Sequence, residues 1–177
     1  MSIEAEKKTN VSYDARFVDG IIALCQKDKG LAARLRRADN PATEYQCWEV
    51  LAAFSVDLEN NDKRLPFVTI AAAIARSKTE SNGRVALGSS IAFCYPDGSK
   101  SLPARARLRR LLACDDVPEV CRILRPLLSL TDSRMKGQSL DFIRILKQLR
   151  SFPFHTQSIK AQWAQEFFGP MKAPADE

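Results

Sequence analysis

The sequence predicts an all-α protein built as a helical bundle of two small helical lobes. Only seven glycines occur in 177 residues, and β-branched residues form few runs, so helix is favoured over sheet. Apolar residues recur at helical spacing along most of the chain, and no stretch reads as a strand. At 45% hydrophobic and 27% charged residues the composition is that of a globular protein with a sizeable core.

The boundaries follow from local signals. Residues 1–12 read as a polar tail, 13–98 as an N-terminal helical lobe, 99–169 as a C-terminal helical bundle and 170–177 as a second tail. In the first lobe, Phe17, Ile21, Leu24 and Cys25 share one face of a helix over 13–27, and Gly30 ends it before a short helix over 31–38. Asn40-Pro41 is a turn signal. A third helix is expected over 41–56, with Thr43 as N-cap and Tyr45, Trp48, Leu51 and Ala52 on its apolar face. Residues 59–64 read as a loop, and Pro66 suits the first turn of the alanine-rich helix after it. Residues 77–86 read as an exposed loop. "CYPDGSKS" (94–101) is the clearest break, with Pro-Asp-Gly as its turn.

The second lobe reads as four helices. The first is "PARARLRRLLAC" (103–114), capped by Ser101, and the second spans 117–130 with a bend at Pro126. The third spans 139–152, with Ser139 as cap and Leu140, Ile143, Leu146 and Leu149 as its stripe. The last begins at Thr156 or Ser158 and is closed by Gly169 at the C′ position. Leu108, Leu111, Leu112, Leu124, Leu128, Ile143, Leu146 and Trp163 are the expected core.

Several function classes find no support. The chain has neither a phosphate-cradling G-x-x-x-x-G-K-[ST] loop nor G-x-G-x-x-G. Its single histidine, His155, excludes H-E-x-x-H sites, and it reads as a surface or capping residue beside Pro153. The five cysteines are odd in number and scattered, without a C-x-x-C pair, so they read as buried reduced thiols. Asp115-Asp116 reads as a solvated pair rather than a metal site. No catalytic residue, metal or cofactor is expected. The most apolar run, 65–75, is too short to span a bilayer, and the charged first residues lack a signal-like core, so no membrane partner and a cytoplasmic location are expected.

The charge of +6 is unevenly placed. Residues 100–150 carry twelve basic and five acidic side chains, whereas 1–99 carry thirteen of each. On the helix over 103–114, Ala104, Leu108, Leu111 and Leu112 share a face; Arg107 and Arg110 point away from it, and Arg105 and Arg109 flank it. Arg122 with Arg125, and Arg144 with Lys147, are i, i+3 neighbours on the next two helices. With so few local acids, most of these cations are expected to stay unpaired unless a polyanion covers them. Arg34, Arg36 and Arg37 form a second, acid-free cluster. No helix-turn-helix, zinc finger or RNA-stacking motif is apparent, so contacts to nucleic acid should be mainly to phosphates.

The ordered segments "GLAARLRRADNP" (30–41), "VALGSSIAF" (85–93), "ARARLRRLLACDD" (104–116), "CRILRPLLSLT" (121–131) and "LDFIRILKQLRSF…QWAQEFFG" (140–169) together resemble the CasB family. CasB is the small subunit of the type I-E CRISPR surveillance complex, Cascade. The resemblance implies a non-catalytic helical subunit, present beside a second copy of itself. It implies contact with guide RNA and target DNA, including the displaced strand, and packing on the backbone subunit CasC and the large subunit CasA. The basic residues matching family segments are Arg34, Arg36, Arg37, Arg107, Arg109, Arg110, Arg122 and Arg125. The other reading of these arginines is a protein-interaction subunit whose basic patches dock on acidic partner surfaces.

Overall fold

A computed structural model describes residues 11–170. Most of the tails expected over 1–12 and 170–177 lie outside the described residues. Eight α-helices and two short 3-10 helices make up the architecture, with one isolated parallel bridge, Val85 to Leu140, and no strand among the described residues. The all-α expectation holds.

Helices α1 (Tyr13–Lys27) and α2 (Lys29–Arg37) meet at Asp28, whose carboxylate accepts from the Leu31 amide at 2.9 Å and caps α2. The segment expected as one helix over 41–56 divides in two. Asn40 caps a 3-10 helix, Pro41–Cys47, which passes into α3, Trp48–Ala53. Thr43 does not cap; its hydroxyl donates to the Arg37 carbonyl at 2.5 Å. The expected apolar face is also rotated: Leu51 is buried, Ala52 is exposed, and Tyr45 and Trp48 stand in solvent.

Helix α4, Asn61–Ser77, starts earlier than expected because Asn60 accepts from the amides of Asp62 and Lys63. Pro66 therefore sits inside the helix, beyond its first turn. Every residue from Pro66 to Ala75 is buried. The alanines at 71, 72, 73 and 75 let neighbouring helices close on the α4 axis, and α1, α2, α7 and α8 all do so. After α4 come α5, Leu87–Phe93, a 3-10 turn at Gly98–Lys100, α6, Leu102–Leu112, and α7, Val117–Arg134. Ser101 caps α6 as expected, and Asp116 caps α7 through the Glu119 amide at 2.8 Å. α7 continues through Pro126 to Arg134, four residues past its expected end.

The last element, α8, spans Phe142–Phe168 but is broken at His155, whose backbone (φ −135°, ψ 34°) is not helical. In a straight helix residues 144 and 166 would lie roughly 33 Å apart. Instead Arg144 meets Glu166 at 2.6 Å, and Phe152 stacks on Trp163 with centroids 5.9 Å apart. α8 is thus an antiparallel hairpin of two arms, as the two helices expected in this region require. Pro153 deprives the ladder of an amide at the bend, and the Thr156 hydroxyl donates to the Phe152 carbonyl at 2.7 Å. Trp163 donates its indole N–H to Gln148 at 2.9 Å, which satisfies the one polar atom of a fully buried ring.

The start of α8 is fixed by tertiary contacts. Asp141, not Ser139, is its cap, accepting from the Arg144 amide at 3.0 Å. Residues 138–141 lie instead along the loop at 82–85. The Gly83 and Val85 amides donate to the carbonyls of Leu140 and Ser139, and Asn82 bonds both Asp141 and the Ile143 amide. Gly169 is extended at φ −68° and ψ 168°, so the expected left-handed C′ residue is absent and the Gly169 amide closes the helix on Gln165.

All eight residues expected in the core are buried or partly buried against it. Leu108, Leu111, Leu124, Leu128, Leu146 and Trp163 are buried, and Leu112 and Ile143 partly so. One hydrophobic cluster takes in side chains from Phe17 to Phe167 and includes residues on both sides of the 94–102 break. The thiols of Cys47 and Cys121 lie inside it, where burial pushes each up to about 12 and keeps it protonated.

Gly88 lies where α5 packs closely on α8. A Cβ there would lie 2.2 Å from the Trp163 carbonyl oxygen and 2.9 Å from the Phe167 amide nitrogen, both backbone atoms that cannot turn aside. Gly88→Ala should cost about 1–3 kcal/mol as an overpacked contact and lower Tm by roughly 2–12 °C. A melt unchanged from the parent would contradict this packing.

Candidate nucleic-acid interface

The twelve cations of residues 100–150 fall into three sets. Four sit in ion pairs: Arg122 with Glu119 at 3.7 Å, Arg144 with Glu166 at 2.6 Å, Arg150 with Asp14 at 2.5 Å, and Arg125 between Asp39 and Glu44 at 3.7 and 3.9 Å. Three are held by neutral acceptors. Arg105 donates to the Ser99 carbonyl at 2.7 Å, Arg107 to the Tyr95 hydroxyl at 2.6 Å, and Arg134 to the Cys94 carbonyl at 3.0 Å. Five have no side-chain partner among the described residues: Lys100, Arg109, Arg110, Lys136 and Lys147. All five are exposed.

Acids distant in sequence thus neutralise part of the basic block, because Asp14, Asp39, Glu44 and Glu166 all come from outside it. The largest ion cluster lies between helices. Glu44 accepts from Arg64 at 2.6 Å, Asp39 pairs with Arg76, and Arg125 reaches both carboxylates. It ties the 3-10 helix and the end of α2 to α4 and α7. The Arg125 side chain is only 13% exposed, so it holds these carboxylates instead of facing solvent. It is a bundle-forming arginine.

The other candidates lie nearer the surface. Arg34 pairs with Glu49 at 3.9 Å, both well exposed, a contact worth little in water. Arg36 donates to the Ala75 carbonyl at 3.3 Å. The Arg37 side chain has no partner among the described residues. On α6 the buried Ala104, Leu108 and Leu111 leave Arg109 and Arg110 in solvent, as the periodicity predicts for Arg110. Arg107 is partly withdrawn by its bond to Tyr95, and Arg105 lies over the Phe168 ring at 5.8 Å.

Between the two arms of α8 runs an open polar groove of about 700 Å³, lined among others by Asn82, Arg144, Lys147, Ser151, His155 and Ser158. Arg144 is anchored there by Glu166, whose other oxygen accepts from the Gly88 amide at 3.0 Å. Lys147 stands free. The groove offers side-chain donors and two cations, Arg144 and Lys147, beside one carboxylate, Asp141, a lining that can take an anionic backbone.

Among the described residues no cluster of three or more histidine, cysteine or carboxylate side chains could hold a metal ion, and no helix is long and apolar enough to cross a membrane. Asp115 pairs with Lys160 at 3.2 Å, and Asp116 is spent on its cap.

The family model for CRISPR-associated protein Cse2 matches residues 31–168, most of the chain. The chain belongs to the CRISPR-associated Cse2 family. That makes it a subunit of a CRISPR Cascade complex. The solved structure of CasB from Thermobifida fusca shares the fold, with a TM-score of 0.66 and 19% identity over 89% of this chain and 98% of that one. Among curated protein sequences none matches.

Arg125 and Arg110 stand at the two extremes of this set, one enclosed by acids and the other in solvent. Arg125→Ala would leave Asp39 and Glu44 with one arginine each, and should cost about 1–3 kcal/mol. Arg110→Ala should stay within about 0.5 kcal/mol of the parent. Urea titration of the two variants checks this; equal stabilities would contradict the division.

Proposed function

We propose that the chain is the non-catalytic small subunit of a type I-E Cascade complex, holding nucleic acid through phosphate contacts while the target duplex is open. Its ligands are the guide RNA–target DNA hybrid and the displaced strand. Its protein neighbours are a second copy of itself, CasC and CasA, in the cytoplasm. Family membership supports the Cascade setting. The observation that carries the nucleic-acid reading is the adjacent pair Arg109–Arg110, exposed and without a side-chain partner among the described residues, on a helix that buries Leu108 and Leu111. Mutually repelling cations held on a rigid face gain free energy when an anion covers them.

Lys147 in the α8 groove and Arg37 on α2 extend the same chemistry. Arg34, Arg36, Arg107, Arg122 and Arg144 contribute from weaker or already bonded positions, and Arg125 does not belong to the set. A protein-docking reading has its own support in Phe154, Leu102 and Phe168, which are 81%, 77% and 56% exposed. Such apolar side chains suit contacts with other subunits. They do not replace the cations as the polyanion surface.

Each phosphate contact on a single strand should contribute roughly −0.7 to the slope of log affinity against log salt. Arg109→Ala combined with Arg110→Ala should weaken binding of unrelated single strands about equally and flatten that slope by roughly 1 to 1.5. Fluorescence anisotropy at several salt concentrations reads both quantities. A double variant that titrates like the parent would reduce the arginine pair to a solvated face.

A further inference from the structure

Tyr45 and Trp48 take no part in the core or in the ion cluster as buried groups, and the Trp48 amide donates to the Tyr45 carbonyl. They are 62% and 39% exposed. They lie three residues apart across the junction of the 3-10 helix and α3, and in a 3-10 turn side chains at i and i+3 eclipse one another. The indole is held in place: the Arg64 guanidinium lies 5.6 Å from its centroid, and Arg64 is itself fixed by Glu44 at 2.6 Å.

Arginines engage two of the three acids nearest this pair in sequence. Across residues 29–53 the acids are Asp39, Glu44 and Glu49. The first two are consumed by Arg76, Arg64 and Arg125. Glu49 has only the 3.9 Å contact with Arg34, between side chains 46% and 85% exposed, which a phosphate can replace at little cost. The Thr43 hydroxyl, bonded to the Arg37 carbonyl at 2.5 Å, ties the end of α2 to the 3-10 helix. Exposed aromatic rings in the same segment as exposed guanidinium groups match single-stranded nucleic acid, whose bases stack on rings while its phosphates take the cations. A duplex hides its base faces and cannot use the rings.

We propose that Tyr45 and Trp48 form a stacking platform for unpaired nucleobases, with Arg34 and Arg37 on the flanking phosphates. The inference rests on the nucleic-acid reading above and adds a base contact to a surface otherwise limited to phosphates.

The test uses the full chain with a short oligothymidylate and an abasic strand of the same length. Trp163 is fully buried against Phe152, so fluorescence quenching on binding reports Trp48. Oligothymidylate should quench and the abasic strand should not. Tyr45→Ala should weaken oligothymidylate binding about tenfold, leave the abasic strand unaffected and keep the salt slope. Tyr45→Phe, which retains the ring, should bind like the parent. The Tyr45 side chain makes no hydrogen bond among the described residues, so neither variant threatens the fold. A Tyr45→Ala variant that binds oligothymidylate like the parent, or loses equally on both strands, overturns the platform and leaves the arginine reading standing. Loss of assembly with the other Cascade subunits, with strand binding unchanged, makes the face a protein interface and also overturns it. A parent chain that binds neither strand defeats both readings.

Discussion

Ten consecutive residues of α4, Pro66 to Ala75, are buried, and the rest of the bundle is arranged to make that possible. A helix buried on all sides needs partners on all sides. α1, α2, α7 and the α8 hairpin supply them, and the small side chains at 71–73 and 75 let them approach. The elements that never touch α4 closely are placed by those that do. α5 seats on α8 through Gly88, and α6 is wedged between α5, α7 and α8.

Burying α4 also decides the fate of the charges at its two ends. Arg64 and Arg76 flank the buried stretch, and each is met by a carboxylate from the segment that follows α2. Arg125 of α7 completes the set. Partly buried guanidinium groups are tolerable here because each lies within ion-pair distance of a carboxylate. The basic excess of the chain therefore does two different jobs. One group of arginines closes the bundle against acids drawn from remote sequence. Another, of which Arg37, Arg109, Arg110 and Lys147 are the clearest members, is left in water by the same packing. The second group gives the polyanion reading its physical basis.

Local features were the ones legible in sequence. The face of α6, its Ser101 cap, the two arms of α8 and the burial of four of the five cysteines, all but Cys25, follow from spacing and residue type. What escaped depends on contacts between distant segments. Ser139 looks like a cap, yet the loop at 82–85 claims that segment and passes the role to Asp141. Asn60 turns a polar stretch that reads as a loop into the start of α4. Tyr45 and Trp48 read as core residues because a 3.6-residue period was applied to a stretch that winds as a 3-10 helix. Arg125 has the same i, i+3 relation to Arg122 that marks a shared surface, but its partners lie some eighty residues away in sequence. No periodicity could have revealed them. Residue type and spacing mark which cations can meet a polyanion; which of them the bundle takes for its own ion pairs is decided by contacts between distant segments.

The division of the arginines can be read directly by chemical modification. Phenylglyoxal labelling of the folded chain, followed by mass spectrometry with and without a bound single strand, scores each guanidinium separately. Arg37, Arg109 and Arg110 should label rapidly in the free chain and be protected by the strand. Arg64, Arg76 and Arg125 should resist labelling in both states, because acids and neighbouring helices enclose them. Uniform labelling of both groups, or no protection of Arg109 and Arg110 by a bound strand, would contradict it.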